Sequence, residues 1–236
     1  MRINTVSRFL LVLGGLSMAN SLLAPVYAQQ PPVRPAVGLP KPLAEDDVTR
    51  LRQGAVAALA GFNSLANEVT FKSLGFSSSA ELSGAQVGFP MQTVYVDLNQ
   101  LATYAGQPAA SIIQQGGLLV PVLVNGEVRS IVSVSYGGTV DGIGRPNMAR
   151  LVTQTLEAVS RASNAPIESL VVLKIPALYK TFIARSTGSQ IWLTPVADTL
   201  KSGSHPGEEQ KAEVVFALLR PVAESTFGSN LSQAQH

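Results

Sequence analysis

From Leu43 onward, apolar positions recur with helical spacing. Val48, Leu51, Ala55, Val56, Leu59 and Phe62 fall at i, i+3, i+7, i+8, i+11 and i+14, a stripe that predicts an amphipathic helix. Glu45, Asp46 and Asp47 occupy its first turn, where the helix macrodipole favours carboxylates. Three neighbouring acids also raise calcium binding, but no calcium-loop spacing accompanies them and the dipole accounts for their placement.

After Gly61 the pattern turns toward strands and short helices, beginning with Val69–Leu74. The Gly75-Phe76-Ser77-Ser78-Ser79 loop can cap a brief turn through Glu81, and Met91–Val96 reads as a strand. Asp97 and Gln100 have N-cap and N3 spacing for a short helix carrying Leu98, Leu101 and Tyr104, and Pro108 is placed to open another that ends near Gly116.

The clearest local signal is a hairpin. Leu118–Val124 and Val128–Tyr136 flank Asn125-Gly126, a dipeptide suited to the positive φ angles of a type I′ turn. In the second arm Val128, Ser130, Val132, Val134 and Tyr136 share one face, while Arg129, Ile131, Ser133 and Ser135 share the other. This alternation predicts an antiparallel sheet covered on one face and open to water on the other.

The loop Gly137–Arg145 leads to a second helix with Met148, Leu151, Val152, Thr155, Leu156 and Val159 as its apolar stripe, opened by Pro146 and closed by Asn164 and Pro166. Strands are expected at Leu170–Ile175, Leu178–Arg185 and Gln190–Val196, with Thr187-Gly188-Ser189 as a turn between the last two. A polar loop, Lys201–Gly207, precedes a final helix carrying Ala212, Val215, Phe216 and Leu219, which should stop before Pro221. Pro90, Pro121, Pro176 and Pro195 lie in or beside apolar runs, so several strands should be edges, bulged or short.

Together these elements predict an α+β fold over residues 43–227. It is a single domain whose antiparallel β-sheet of about six to seven strands is flanked by three main helices, with 228–236 as a flexible tail. No firm internal repeat is visible, although two helix-plus-hairpin units are arranged as a diverged pair would be.

The first 28 residues follow a different pattern. Arg2 and Arg8 form a basic start, Phe9–Leu16 an apolar stretch extended by Met18 and Leu22–Ala24, and Val26-Tyr27-Ala28 a small-x-small cleavage site. Asn20 and Ser21 interrupt the apolar run, leaving it short of the ~20 residues a spanning helix needs. A secretory signal cleaved after Ala28 is therefore expected, with a periplasmic or secreted product and no transmembrane segment after its removal. Residues 29–42 hold five prolines and read as an extended linker.

Removing the signal changes the charge. Arg2 and Arg8 account for the whole net charge of +2, so the remainder carries 15 Lys and Arg against 15 Asp and Glu. Its basic residues are scattered singly, which argues against nucleic acid as a partner. The chain has no cysteine, so disulfides, lipid attachment through cysteine and thiolate chemistry are excluded. Stability must come from the core, and the roughly 208 residues after position 28 suffice for one.

Candidate chemistry is sparse. Of two histidines, His236 is terminal and His205 sits in the Gly/Ser/Pro loop, neither at a recognisable spacing from a serine or aspartate partner. No nucleophile elbow, metal-binding helix, phosphate loop or calcium loop occurs, so no metal and no cofactor are expected. Glu81, Asp97, Glu127 and Asp141 are isolated carboxylates that would have to converge for glycosidase-like acid/base work.

Two places could hold a ligand. Asp141-Gly142-Ile143-Gly144-Arg145 lies immediately before a helix, where backbone N–H groups and Arg145 would favour an anion. Tyr179, Phe182 and Trp192 fall on neighbouring strands with Lys174, Lys180 and Arg185 nearby, a surface that would suit a glycan, peptide or apolar ligand. The plainer reading has Phe182 and Trp192 fill the core while the basic residues decorate the solvent face. The candidate ligand-binding residues are thus Asp141, Gly142, Gly144, Arg145, Tyr179 and Trp192.

With 46% hydrophobic and 14% charged residues, the chain has apolar surface to spare for a partner. The expectation is an exported, non-enzymatic binding protein for a protein, peptide or small molecule. The alternatives are a hydrolase using two convergent carboxylates and a structural component of an envelope assembly pairing through strand edges.

Overall fold

A computed structural model describes residues 38–65, 68–196 and 208–233. The expected signal peptide, residues 29–37 of the linker, the Lys201–Gly207 loop with His205, and His236 lie outside the described residues. In chain order the elements are α1 (Glu45–Leu65), α2 (Glu68–Ser73), α3 (Ser79–Ser83), β1 (Gln86–Val87), β2 (Met91–Val96), α4 (Leu98–Ala102), β3 (Ile113–Val124), β4 (Glu127–Val134) and β5 (Val140–Gly144). They continue with α5 (Pro146–Ser163), β6 (Val171–Ile175), β7 (Lys180–Thr187), β8 (Gln190–Pro195), β9 (Gln210–Lys211) and α6 (Ala212–Gln233).

The α+β class stands, with nine strands among the described residues where six to seven were expected. The order is β5-β4-β3-β2-β6-β7-β8-β9, and β1 lies beside β3. Every neighbouring pair is antiparallel except β2 and β6, which are parallel at the centre. A parallel pair needs a long return connection, and α5 is the helix on that return.

Register assigns the faces. Leu118 pairs with Gln92, which pairs with Val171, so these three point to one side. On that side, Leu118, Val120, Val132 and Val134 bury against Leu51, Ala55 and Leu59 of α1. Farther along it, Leu173, Phe182 and Leu193 bury against Val215, Phe216 and Leu219 of α6, where Phe216 meets Tyr104 edge to face with ring centres 5.7 Å apart. On the opposite side, Leu119, Ile131, Val172 and Ile183 pack on Ala149, Val152 and Leu156 of α5. Three layers result, with α1 and α6 on one face and α5 on the other.

That arrangement corrects the expectation that one face of the hairpin meets water, because Ile131 on the supposed wet face is buried under α5. The β3–β4 hairpin itself forms as predicted, with Asn125 and Gly126 at φ of 52° and 81°. Pro108 opens a 3₁₀ turn over Ala109–Ile112, and β3 starts at Ile113, five residues before the expected Leu118. Val56, placed on the buried stripe of the first helix, is exposed.

Helix α6 runs through Pro221 to Gln233, past both the predicted stop and the start of the predicted tail. Pro221 lies on the exposed side, so the carbonyl that its missing N–H leaves unpaired meets water, while Leu219 and Ala223 on the buried side keep the helix docked. Within β3, Pro121 falls where β2 has ended and β1 has not begun, because β2 pairs as far as Leu119 and β1 from Val122.

Candidate functional site

Strand alternation and hairpin register build the site on the α5 side of the second half of the sheet. The Gly188-Ser189 turn pairs Thr187 with Gln190, which sets Arg185 opposite Trp192, and β9 then sets Lys211 opposite Trp192. The three side chains form one row, with the Arg185 guanidinium and the Lys211 ammonium each 5.7 Å from the indole centre.

Glu209, just before β9, takes both Nε and Nη2 of Arg185 at 2.5 Å, a two-pronged charge-assisted pair, while Nη1 donates to Thr187 Oγ1 at 2.5 Å. The Glu209 contact raises the Arg185 pKa, so the guanidinium is charged at any relevant pH. Beside this pair a cleft of about 500 Å³ opens between β8 and the second half of α5. Ala158, Val159, Ala162, Pro195 and Val196 supply an apolar wall, and Gln154, Thr155, Thr194 and the Arg185–Glu209 pair supply polar groups. Thr155 Oγ1 donates to the Val196 carbonyl at 3.4 Å, tying α5 to β8 across the cleft floor. An apolar body with one polar end fits these walls.

The predicted site residues divide between two edges. Asp141, Gly142 and Gly144 belong to the edge strand β5, where Gly142 pairs with Ser133 and Gly144 with Ile131. Arg145 precedes α5 in the left-handed region at φ 58°, and its exposed side chain makes no cap bond. Trp192 is on β8, separated from β5 by β4, β3, β2, β6 and β7, so roughly 29 Å of sheet divides the two candidates. Tyr179 is 89% exposed in the turn entering β7, at the opposite end of that strand from Arg185. Phe182 is fully buried in the α6 core. The structure therefore joins Trp192 to Arg185 and leaves Tyr179 apart.

One cation does approach Arg145. Lys174 sits in a row with Tyr95 and Thr181 on the α5 face. Burial, reinforced by the Arg145 charge, lowers its pKa to about 8. Among the carboxylates weighed for acid/base work, Glu81 and Glu127 both contact Arg129, at 3.7 and 3.1 Å. The Ser77 backbone N–H holds the Glu81 pKa down, which suits a structural anion and not a general acid. Asp97 caps α4 through the Asn99 N–H, near the N-terminal end of β3, while Glu127 starts β4 at the far end of that twelve-residue strand. Asp141 is exposed on β5. Among the described residues no group of three His, Cys, Asp or Glu could hold a metal ion.

Sequence reasoning noted Arg185 near Trp192 but missed Glu209 and Thr194. The two-residue turn could have supplied the Arg185–Trp192 pairing, since fixing Thr187 opposite Gln190 fixes every pair behind it. Glu209 carries no such local signal, because its place depends on β9 joining the sheet edge after a long connection. Comparison with protein-family models, curated proteins and solved structures yields no match.

Proposed function

We propose that this is an exported, non-enzymatic binding protein that takes a small amphiphilic ligand in the cleft between α5 and β7–β9. The observation that carries the reading is the pairing of an apolar wall on α5 with a charged, hydrogen-bonded end at Arg185 and Glu209. The ligand's apolar part lies on Ala158 and Val196, and its polar head reaches the Arg185 end. Export rests on the basic, apolar and small-x-small pattern of the first 28 residues.

Trp192 is the chain's only tryptophan and reports on the cleft through Arg185, which lines the cleft and lies 5.7 Å from the indole centre. Titration with 1-anilinonaphthalene-8-sulfonate, whose aromatic body and anionic head match the two walls, should quench Trp192 and produce blue-shifted probe emission by energy transfer. Ala158→Phe, on the exposed flank of α5, should weaken binding about tenfold by filling the cleft without entering the core. Binding that Ala158→Phe leaves unchanged would place the ligand elsewhere and defeat the reading. Native mass spectrometry of the gently purified protein then shows whether a ligand is carried from the cell.

A further inference from the structure

At the centre of the sheet, on the face shared by α1 and α6, the row Leu118–Gln92–Val171 puts a carboxamide between two aliphatic side chains. Leu118 belongs to the core beneath α1 and Val171 to the core beneath α6, so Gln92 marks the seam where the two cores meet. Gln92 is 5% exposed, and a carboxamide so buried needs partners at both ends. Its oxygen accepts from the Tyr136 hydroxyl at 3.1 Å, and its Nε2 donates to the Lys41 carbonyl at 2.6 Å.

Lys41 lies in Leu39-Pro40-Lys41-Pro42-Leu43, the end of the proline-rich linker that runs into α1. Each proline fixes its own φ, removes a donor and holds the residue before it extended, which leaves the Lys41 carbonyl free to face Gln92. Leu39 packs on the core beneath α6 and Leu43 on the core beneath α1, one leucine on each side of the seam, while Lys41 and Pro42 are exposed. The segment therefore sits on the domain as a proline-rich ligand sits on its receptor, with apolar anchors at both ends and a side-chain donor on a backbone carbonyl. Its hold is slight. Among the described residues the Gln92 bond is the only hydrogen bond that residues 38–43 make, and both leucines are only half-buried.

We infer that the seam between α1 and α6 is a docking site for an extended partner segment of the pattern Leu-Pro-x-Pro-Leu, which residues 39–43 occupy in cis and yield to a competitor. The middle position is unrestricted, because the Lys41 side chain is exposed. A tethered segment is present at an effective concentration of about a millimolar, so a free peptide binds the unaltered protein only weakly. The seam lies on the opposite face of the sheet from the Arg185 cleft and shares no residue with it, so neither reading depends on the other.

The test is fluorescence anisotropy of a labelled Gly-Leu-Pro-Lys-Pro-Leu-Ala peptide with the full chain. Leu39→Ser removes one anchor in cis and should tighten peptide binding at least about tenfold over the unaltered protein. In that background Gln92→Leu, similar in volume, takes away the donor and should weaken binding about tenfold, while Tyr136 keeps its bond to Gln115. A peptide with both prolines replaced by alanine loses its pre-extended shape and should bind about tenfold more weakly. Pro42→Ala, at an exposed position, loosens the segment without touching either core and should tighten binding about two- to fivefold, so the test survives a Leu39→Ser chain that fails to fold. A peptide that binds neither variant, or binds equally well after Gln92→Leu, would overturn the inference and make residues 39–43 a fixed part of the core. Competition by the unaltered protein at equal concentration would make a second copy of the chain the occupant, and would overturn it as well.

Discussion

Apart from β1, which pairs with β3, the sheet consists of two four-stranded meanders, β2-β3-β4-β5 and β6-β7-β8-β9, each running outward from the central parallel pair and ending in a strand that feeds a long helix. Those helices, α5 and α6, land on opposite faces, as a twofold rotation about the strand direction requires. The difference lies in coverage. The first meander is closed on one side by α1 and on the other by α5. The second is closed by α6 on one side, and on the other only the later part of α5 reaches it. Charged and aromatic side chains gather on the surface left open, Arg185, Trp192 and Lys211, with Lys174 half-buried on the same face. A sheet face without a full covering helix retains water, so it can carry the groups that a binding cleft needs.

A pair of glycine substitutions breaks this comparison most forcefully. Gly75 sits at φ 94° where the end of α2 meets β4 and the start of α5, and an added Cβ would fall 2.2 Å from the Arg129 carbonyl oxygen and 2.8 Å from Pro146 Cβ. Backbone cannot yield as a side-chain tip can, and the positive φ adds its own strain. Gly75→Ala should therefore cost about 3–5 kcal/mol or abolish folding. Gly188, at φ 61° in the hairpin turn of the open meander, has nothing within 4 Å of the added carbon. Gly188→Ala should cost only about 1–2 kcal/mol. Urea denaturation of the two variants measures the contrast, and equal losses would show that the closed meander is no more tightly constrained than the open one.

What the chain alone revealed follows the same division. Local signals were read well: β2 matches its predicted span, the Asn-Gly hairpin forms, and Ser78 and Asp97 cap α3 and α4 through their side chains. Covering of the faces was not legible. Alternation in β4 shows Ile131 opposite Val132, but only the return path of α5 makes Ile131 a core residue. Pro221 misled because its cost depends on which side of α6 it occupies. At the cleft, Trp192 and Arg185 were visible as residues and partly as a pair, whereas Glu209 depends on a strand that joins at long range.

Lys174 sharpens the comparison through pH. Its folded pKa of about 8 lies below the ~10.4 of an unfolded lysine, so between those values the unfolded chain binds more protons and stability rises with pH. Below about pH 8 the lysine is charged in both states and the full burial penalty is present. Lys174→Met should therefore stabilise the protein at pH 7 by about 1–2 kcal/mol, an advantage that shrinks as pH climbs toward 10. Burial holds the Tyr95 pKa up, so the neighbouring tyrosine does not mimic the effect. Urea midpoints for both proteins at pH 7 and 9.5 provide the check, and a pH-independent difference would mean that Lys174 is solvated.

The smallest expected effect comes from a hydroxyl trapped in the closed meander. Ser130 is fully buried on the α1 side, paired with Val122, and its Oγ has no hydrogen-bond partner among the described residues. On an open face a hydroxyl keeps a water partner, but beneath α1 it is desolvated for nothing in return. Ser130→Ala removes that penalty at the expense of a void about the size of one oxygen, so stability should hold or rise by about 0.5–1 kcal/mol with the denaturant slope unchanged. A loss of about 1 kcal/mol or more would instead reveal a water bonded to the hydroxyl, and with it a path for solvent into the half of the sheet that two helices seal.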